Sequence, residues 1–236
     1  KPVLQDAPAD VRLERAADGA LILCAADHPY GKPVTRNDAA AEMLNLARWS
    51  PTYGVRMARI LSEGTALPFG FAVPRQPKFP NPAPGLHVGG ALVAFAFGQI
   101  DATTLTELAS LGPVRITPWR MLLVEGVKTM PCVDHIITDP ADPMLRVIAC
   151  VGAPACAQGQ GATRALGRTI ARHVLPDQTL HISGCSKGCA LSRSADTTLI
   201  VTALGYDLVH NGTADMAPHF TGLTTADLPD LLQKAH

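Results

Sequence analysis

Apolar and polar residues alternate in short runs near the start of the chain, a pattern typical of half-buried strands. VRLER and ALILCAA are predicted strands joined at Asp18-Gly19, a dipeptide that favours a hairpin turn. The later run AAAEMLNLARW repeats apolar residues at helical spacing, and Asn37-Asp38 before it favours a helix start. Residues 1–66 are therefore predicted to contain two strands and a helix.

A proline-dense stretch, residues 67–85, interrupts this pattern. Proline at such density excludes a helix or a central strand, because the residue lacks an N–H donor and fixes its own φ. We therefore predict an extended arm here and place a domain boundary at its start. The stretch contains Pro68, Pro74, Pro77, Pro80, Pro82 and Pro84.

Residues 86–128 are predicted to form a strand–helix–strand unit. ALVAFAFG is uniformly apolar, as expected of a buried strand. Thr104 and Glu107 have the spacing of a capping box that opens the helix TELASL, and Gly112-Pro113 is expected to end it. VRITPWRMLLVEGV is a second predicted strand, in which Pro118 indicates an edge position or a bulge.

The rest of the chain mixes short apolar runs with one glycine-containing helical pattern. LRVIA, LHIS, TTLIVTAL and YDLVHNG are predicted strands, with Gly205 and Asn211-Gly212 as turn signals. Apolar positions between residues 156 and 174 have helical spacing, although glycines weaken that helix. A short helix is predicted after Thr224.

Composition narrows the class of protein. The chain has 236 residues, 47% of them hydrophobic and 17% charged, with a formal net charge of zero. These values support a large buried core and argue against a disordered or nucleic-acid-coating protein. No apolar run approaches the ~20 residues of a membrane span and no secretory signal opens the chain, so we expect a cytoplasmic protein. Because the first residue is Lys1, we expect a fragment or a processed piece.

Two cysteine pairs carry the candidate chemistry. Cys150 and Cys156 follow the strand RVIA, while Cys185 and Cys189 follow the strand LHIS. Close pairs in a long, enzyme-like chain indicate a metal site in a reducing compartment rather than a disulfide framework. The five-residue spacer of the first pair fits zinc poorly, and the small spacer residues suit an iron–sulfur cluster, whose sulfides need close backbone N–H groups.

Basic residues surround these pairs. Between Met144 and Ala195 the single acid is Asp177, against the bases Arg146, Arg164, Arg168, Arg172, Lys187 and Arg193. Positive surroundings stabilise thiolates and an anionic cluster. Three of the arginines are spaced by four residues and would form one stripe on a helix, which is either a solvated face or a docking site for a polycarboxylate ligand.

The other metal-ligating residue types are predicted to be structural. Cys24 lies within a strand and is expected in the core, and Cys132 stands alone in the sequence. His181 and His210 alternate with apolar strand residues, which favours an exposed strand face over ligation.

The two cysteine motifs carry a resemblance to a known family. CVGAPAC and SGCSKGC resemble the C-x5-C and C-x3-C cluster signature of the sulfite and nitrite reductase superfamily. RVIACVGAPAC and LHISGCSKGCALS are most similar to its precorrin-3B synthase branch. The resemblance implies an α+β fold, with a ferredoxin-like half-domain followed by an α/β nitrite/sulfite reductase 4Fe-4S domain.

The resemblance also implies a division of the chain and a set of site residues. Residues 1–66 would be the tail of a preceding α/β repeat, residues 67–128 the proline-rich arm with the ferredoxin-like half-domain, and residues 129–236 the cluster domain. The cluster ligands would be Cys150, Cys156, Cys185 and Cys189, with Cys189 nearest the tetrapyrrole. The candidate substrate-binding residues are Thr117, Arg120, Arg164 and Lys187, and no catalytic residue is assigned.

By this resemblance the expected reaction is an O2-dependent hydroxylation and lactone formation on precorrin-3A, a step of aerobic cobalamin biosynthesis. Electrons would come from an NADH-linked donor through a 4Fe-4S cluster, and a mononuclear non-haem iron is compatible with the resemblance but has no assigned ligands. Two alternatives stay open: a sirohaem-dependent sulfite or nitrite reductase, and a non-enzymatic electron-transfer or zinc module. Part of the pocket would belong to a first repeat absent from this chain, which leaves the activity of the chain alone open.

Overall fold

The computed structural model describes residues 9–16, 18–49, 55–75 and 82–233. Its contacts divide the chain into two compact units, residues 4–80 and residues 81–236 together with residues 1–3. The division predicted from the sequence, at residues 66/67 and 128/129, stays a prediction. Each unit is described by itself.

The smaller unit contains an antiparallel sheet and two helices. Its strands lie in the order β1-β2-β3-β4. They are β1 (Val11–Arg15), β2 (Leu21–Ala25), β3 (Tyr30–Val34) and β4 (Val73–Pro74), and the helices are α1 (Ala39–Trp49) and α2 (Met57–Ser62). The predicted hairpin and helix are confirmed, and Cys24 is fully buried as expected. The cue for β3 was weak, because YGKPV contains both a glycine and a proline.

The described part of the proline-rich arm has little regular structure. Val73–Pro74 forms an edge strand against β3, where a missing N–H is tolerated. Pro82 and Pro84 lie outside helices and strands, whereas Pro77 and Pro80 lie outside the described residues.

The larger unit begins with an antiparallel sheet in the order β5-β6-β8-β7. Its strands are β5 (Gly85–His87), β6 (Gly90–Ala94), β7 (Val114–Ile116) and β8 (Met121–Glu125), and helix α3 spans Ala102–Leu111. Every residue of β6 is buried, which explains its unbroken apolar sequence. Val93 of this strand packs with Leu108 of α3 and Val124 of β8 in one cluster.

Two local predictions in this region are wrong. Helix α3 begins two residues before Thr104, because the Asp101 carboxylate accepts hydrogen bonds from the Thr104 backbone N–H (2.8 Å) and hydroxyl (2.9 Å) and so takes the capping role. Pro118 lies neither in a bulge nor on an edge strand. It lies in the tight turn that reverses the chain between β7 and β8, where Arg120 adopts a φ of 60°.

A second, mixed sheet follows, in the order β13-β12-β11-β10-β9. Strands β9, β10 and β11 are parallel, whereas β12 and β13 are antiparallel. The elements are β9 (Val147–Ala149), α4 (Thr163–Ile170), β10 (Leu180–Ser183), β11 (Ala195–Thr202), β12 (Gly205–Gly212), β13 (Phe220–Leu223) and α5 (Leu228–Leu232). Leu166 and Ile170 of α4 share a buried cluster with Leu180 and Ile182 of β10.

The turn at Gly205 is confirmed, because β11 and β12 form a hairpin there, and the short helix near the chain end is α5. The predicted turn at Asn211-Gly212 is wrong. Both residues belong to the end of β12, although Asn211 has a positive φ of 49°.

The α+β class predicted from the sequence is confirmed. Among the described residues, no helix combines the length and apolar character that a membrane crossing requires.

Candidate functional site

Two neighbouring parallel strands bring the cysteine pairs to one edge of the mixed sheet. Cys150 directly follows β9, and Cys185 lies two residues after the end of β10. Strand β9 pairs with β10 in parallel, so their carboxyl ends lie side by side. In open α/β sheets, ligands bind in the crevice outside these carboxyl ends.

One cavity of about 580 Å³ opens at this edge. All four predicted ligands, Cys150, Cys156, Cys185 and Cys189, contribute to its lining. Each of the chain's six cysteines is a free thiol, and three of these four are partly buried, with Cys189 the most exposed. The two pairs, distant in sequence, are therefore brought to one space.

Glycine backbones hold the two cysteine loops against each other. A Cβ on Gly184 would lie 3.2 Å from Gly159 Cα and 3.4 Å from Gly152 Cα, which leaves little room for a side chain. Gly152 has a φ of 63°, and a Cβ there would lie 2.5 Å from the carbonyl oxygen of Gly161. The loops approach this closely because these positions carry no side chain.

Backbone hydrogen bonds connect the same loops to a sulfur atom. The Gly184 N–H donates to Cys150 Sγ at 3.2 Å, and its carbonyl accepts from Gln160 N–H at 2.9 Å. The buried Thr163 hydroxyl donates to the Cys150 carbonyl at 2.7 Å, which fixes the first loop to the start of α4. An N–H aimed at a cysteine sulfur is the contact that stabilises a thiolate ligand.

The charged side chains that line the cavity are positive. Arg120 and Arg164 contribute to it, and none of its described lining residues is acidic. The predicted arginine stripe divides, because Arg164 and Arg168 lie on α4 whereas Arg172 lies in the 3₁₀ turn after it and contacts His173. Of the stripe, Arg164 lines the cavity.

Two predicted substrate-binding residues do not line this cavity. The Thr117 hydroxyl donates to the Met121 carbonyl at 2.7 Å and so closes the turn between β7 and β8. Lys187 is exposed on the loop between Cys185 and Cys189. Their roles stay predictions.

His181 differs from its sequence prediction. It lies on β10, which has a neighbour on each side, and its side chain is fully buried rather than exposed. Neither ring nitrogen has a hydrogen-bond partner within the described part of the chain. Burial lowers the pKa of His181 to about 4, because desolvation disfavours the charged ring. His210 is partly buried and packs edge-on against His219 and Phe220.

The thiols that line the cavity are of the ligand type that an iron–sulfur cluster takes. No group of three or more His, Cys, Asp or Glu side chains in the described ranges is arranged to hold one metal ion. Four thiols around a shared cavity, backed by glycines and by an N–H donor, are compatible with the thiolate ligation of an iron–sulfur cluster.

Sequence reasoning missed Phe97 and Gln99. Phe97 was assigned to the buried strand ALVAFAFG, but β6 ends at Ala94 and Phe97 turns back in a short 3₁₀ segment, Ala96–Gly98. Phe97 lines the cavity, and the Gln99 side chain accepts a hydrogen bond from Arg164 Nη1 at 2.7 Å. The glycine at position 98 is the sequence cue for this turn, and in the structure it adopts a φ of 66°.

Comparison with known proteins shows what the chain is similar to. No protein-family model matches the chain. A precorrin-3B synthase from Sinorhizobium sp is 28% identical over 168 residues, which cover 61% of this chain and 37% of that protein. The NirA protein of Mycobacterium tuberculosis has the same fold, with a TM-score of 0.60 at 17% identity, over 98% of this chain and 57% of that one. The chain thus spans less than two thirds of either relative.

The resemblance predicted from the cysteine motifs is confirmed. This chain is similar in sequence to a precorrin-3B synthase, and it has the fold of NirA.

Proposed function

We propose that the chain is the cluster-binding part of a precorrin-3B synthase-type oxidoreductase. In this proposal Cys150, Cys156, Cys185 and Cys189 hold a 4Fe-4S cluster, and a polycarboxylate tetrapyrrole docks over it. The observation that carries the proposal is the single cavity lined by all four thiols and two arginines. The sequence likeness to a precorrin-3B synthase supplies the substrate class.

The overall reaction consumes dioxygen and two electrons. One oxygen atom enters precorrin-3A as a hydroxyl, with a ring acetate closing a lactone, and the other oxygen leaves as water with electrons from an NADH-linked donor. The bound cluster would supply one-electron transfer, which the side chains cannot provide.

The chain's own residues bind and orient the substrate. Arg120 and Arg164 line the cavity, and their guanidinium groups would pair with substrate carboxylates in a directional geometry. Apolar side chains of the same lining, such as Val151 and Ala190, would exclude water from the macrocycle. Binding of this kind places the reacting ring close to the thiolates and lowers the entropic barrier.

Anaerobic purification with iron and sulfide counting tests the proposal. We expect iron and acid-labile sulfide in equal amounts, and a spectrum that changes when a precorrin is added. Zinc without sulfide would overturn the cluster assignment. Isobacteriochlorin bands in the purified protein would instead favour a sirohaem-dependent reductase, an alternative with which the NirA fold is compatible.

A further inference from the structure

Phe97 has a backbone conformation that is uncommon for a residue with a side chain. Its φ of 60° and ψ of 13° lie in the left-handed region, and the residue is partly buried at the cavity lining. Strained residues of this kind persist where the surrounding contacts fix them, and they cluster at functional sites. Gly98 follows with a φ of 66° and packs against the side chain of Arg120.

The Phe97 ring packs against one face of α4. A Cβ on Gly167 would lie 3.0 Å from the ring atom Cζ and 3.1 Å from Cε1, so glycine at this position leaves the space that the ring fills. The guanidinium carbons of Arg164 and Arg168 lie 6.0 Å and 5.4 Å from the ring centroid. Both distances are within the range of a cation–π contact.

Arg164 is held from a second direction. Its Nη1 donates to Gln99 Oε1 at 2.7 Å, two residues after Phe97. Its Nε is buried and has no hydrogen-bond partner among the described residues, and no described acidic side chain forms a salt bridge with it. The arginine is therefore held by two neighbours, lines the cavity and has no counter-ion among the described residues.

We infer that Phe97 and Gln99 are positioning residues that direct the Arg164 guanidinium towards a carboxylate of the bound ligand. The ring lies beside the guanidinium, and the amide oxygen accepts a hydrogen bond from Nη1, so the other N–H donors are left for a ligand. This inference rests on the proposed function, because it takes a polycarboxylate tetrapyrrole as the ligand. Pre-orientation of this kind raises affinity by reducing the entropy lost on binding.

Titration with uroporphyrin, a soluble octacarboxylate porphyrin, measures the effect. We expect Phe97→Leu to raise the dissociation constant about three- to tenfold, as loss of a partly exposed cation–π contact predicts. Arg164→Gln should raise it by roughly tenfold or more. Arg115→Gln is the matched control, because it removes an arginine that pairs with Glu125 on the β7–β8 hairpin and does not line the cavity.

A double-mutant cycle separates positioning from a general structural role. If Phe97 acts through Arg164, Phe97→Leu should change the dissociation constant less than about twofold in the Arg164→Gln background. Gly167→Ala is a second variant, in which the ring is retained but displaced, and it should weaken binding as Phe97→Leu does. A full Phe97→Leu effect without Arg164, or no effect in either background, overturns the inference.

The same titration distinguishes this inference from the proposed function. Failure of the unmodified chain to bind uroporphyrin would overturn both. Binding that is equal in the unmodified chain and every variant would overturn the positioning role alone. Iron and sulfide content should not change in these variants, since none replaces a proposed cluster ligand or a glycine of the cysteine loops. Circular dichroism gives the folded fraction of each variant, because an unfolded fraction raises the apparent dissociation constant.

Discussion

At the residue scale, the cysteine motifs differ from ordinary buried thiols in their hydrogen bonding. The Cys150 sulfur accepts a hydrogen bond from the Gly184 N–H of the other cysteine loop. Cys24 provides the contrast. It lies in the core of the smaller unit, where burial raises the pKa of its thiol to about 11 and Glu14 acts in the same direction. A thiol in such surroundings stays protonated and does not ligate iron.

Replacing one proposed ligand should remove the cluster. We expect Cys185→Ser to lose the brown chromophore and most of its iron and sulfide, because a serine hydroxyl is a harder and far less acidic donor than a thiol. Cys132→Ser is the matched control, since Cys132 is an exposed free thiol that does not line the cavity. A full iron complement in Cys185→Ser would count against the ligand set.

His181 should make the stability of the larger unit depend on pH. Its folded pKa of about 4 lies below the ordinary value of 6.5, so above pH 6.5 the ring is neutral in both states. As the pH falls from 6.5 towards 4, the unfolded chain binds a proton that the folded chain does not. The free energy of unfolding should therefore decrease by about 3 kcal/mol over this window.

The variant His181→Leu tests this pH dependence in urea denaturation curves at several pH values. We expect it to remove the decrease between pH 6.5 and 4. It should also stabilise the protein by about 1 kcal/mol at pH 7, because the buried ring has no hydrogen-bond partner among the described residues and is therefore unfavourable. Parallel pH profiles for the two proteins would refute the assignment.

At the element scale, local patterns predicted most strands and helices but not how the chain turns between them. The stretch VRITPWRMLLVEGV has a high strand propensity on both sides of Pro118, so a proline-bearing strand and a hairpin have the same local cues. The pairing of Ile116 with Leu122 makes this stretch a hairpin, and the local sequence pattern does not reveal that pairing. The start of α3 was misplaced for a related reason, because Thr104 resembles a cap residue but is itself buried and capped by Asp101.

The glycines of the cysteine loops should be required for cluster binding although they are not ligands. Gly152→Ala would place a Cβ within 3 Å of Gly161 O and Thr163 Oγ1, so we expect the first loop to shift and the iron content to fall by more than half. Gly126→Ala is the control, because Gly126 has a similar φ of 77° but open space around it. That change should cost about 1 kcal/mol of stability and leave the iron content unchanged.

At the scale of the whole molecule, the cysteine spacing predicts which residues are candidate ligands but not how the two pairs come together. The motifs identify each pair, whereas their convergence depends on β9 and β10 being adjacent and parallel. Likewise, Arg164 approaches Phe97 and Gln99 only after α4 has packed against β10. Contacts between segments this far apart in sequence leave no local pattern. The sequence therefore predicts Arg120 and Arg164 as candidates but not the residues that hold them at the cavity.

The larger unit should retain the site without the smaller one. All four cysteines, both cavity-lining arginines and the glycines between them lie within residues 82–233, and the described residues of the smaller unit form a separate buried cluster around Leu23 and Met57. We therefore expect a chain that begins at residue 82 to fold and to bind iron and sulfide in the same ratio as the full chain. Metal analysis and circular dichroism check this. A folded truncated chain that loses its iron would show that residues 1–81 contribute to cluster binding and would contradict this expectation.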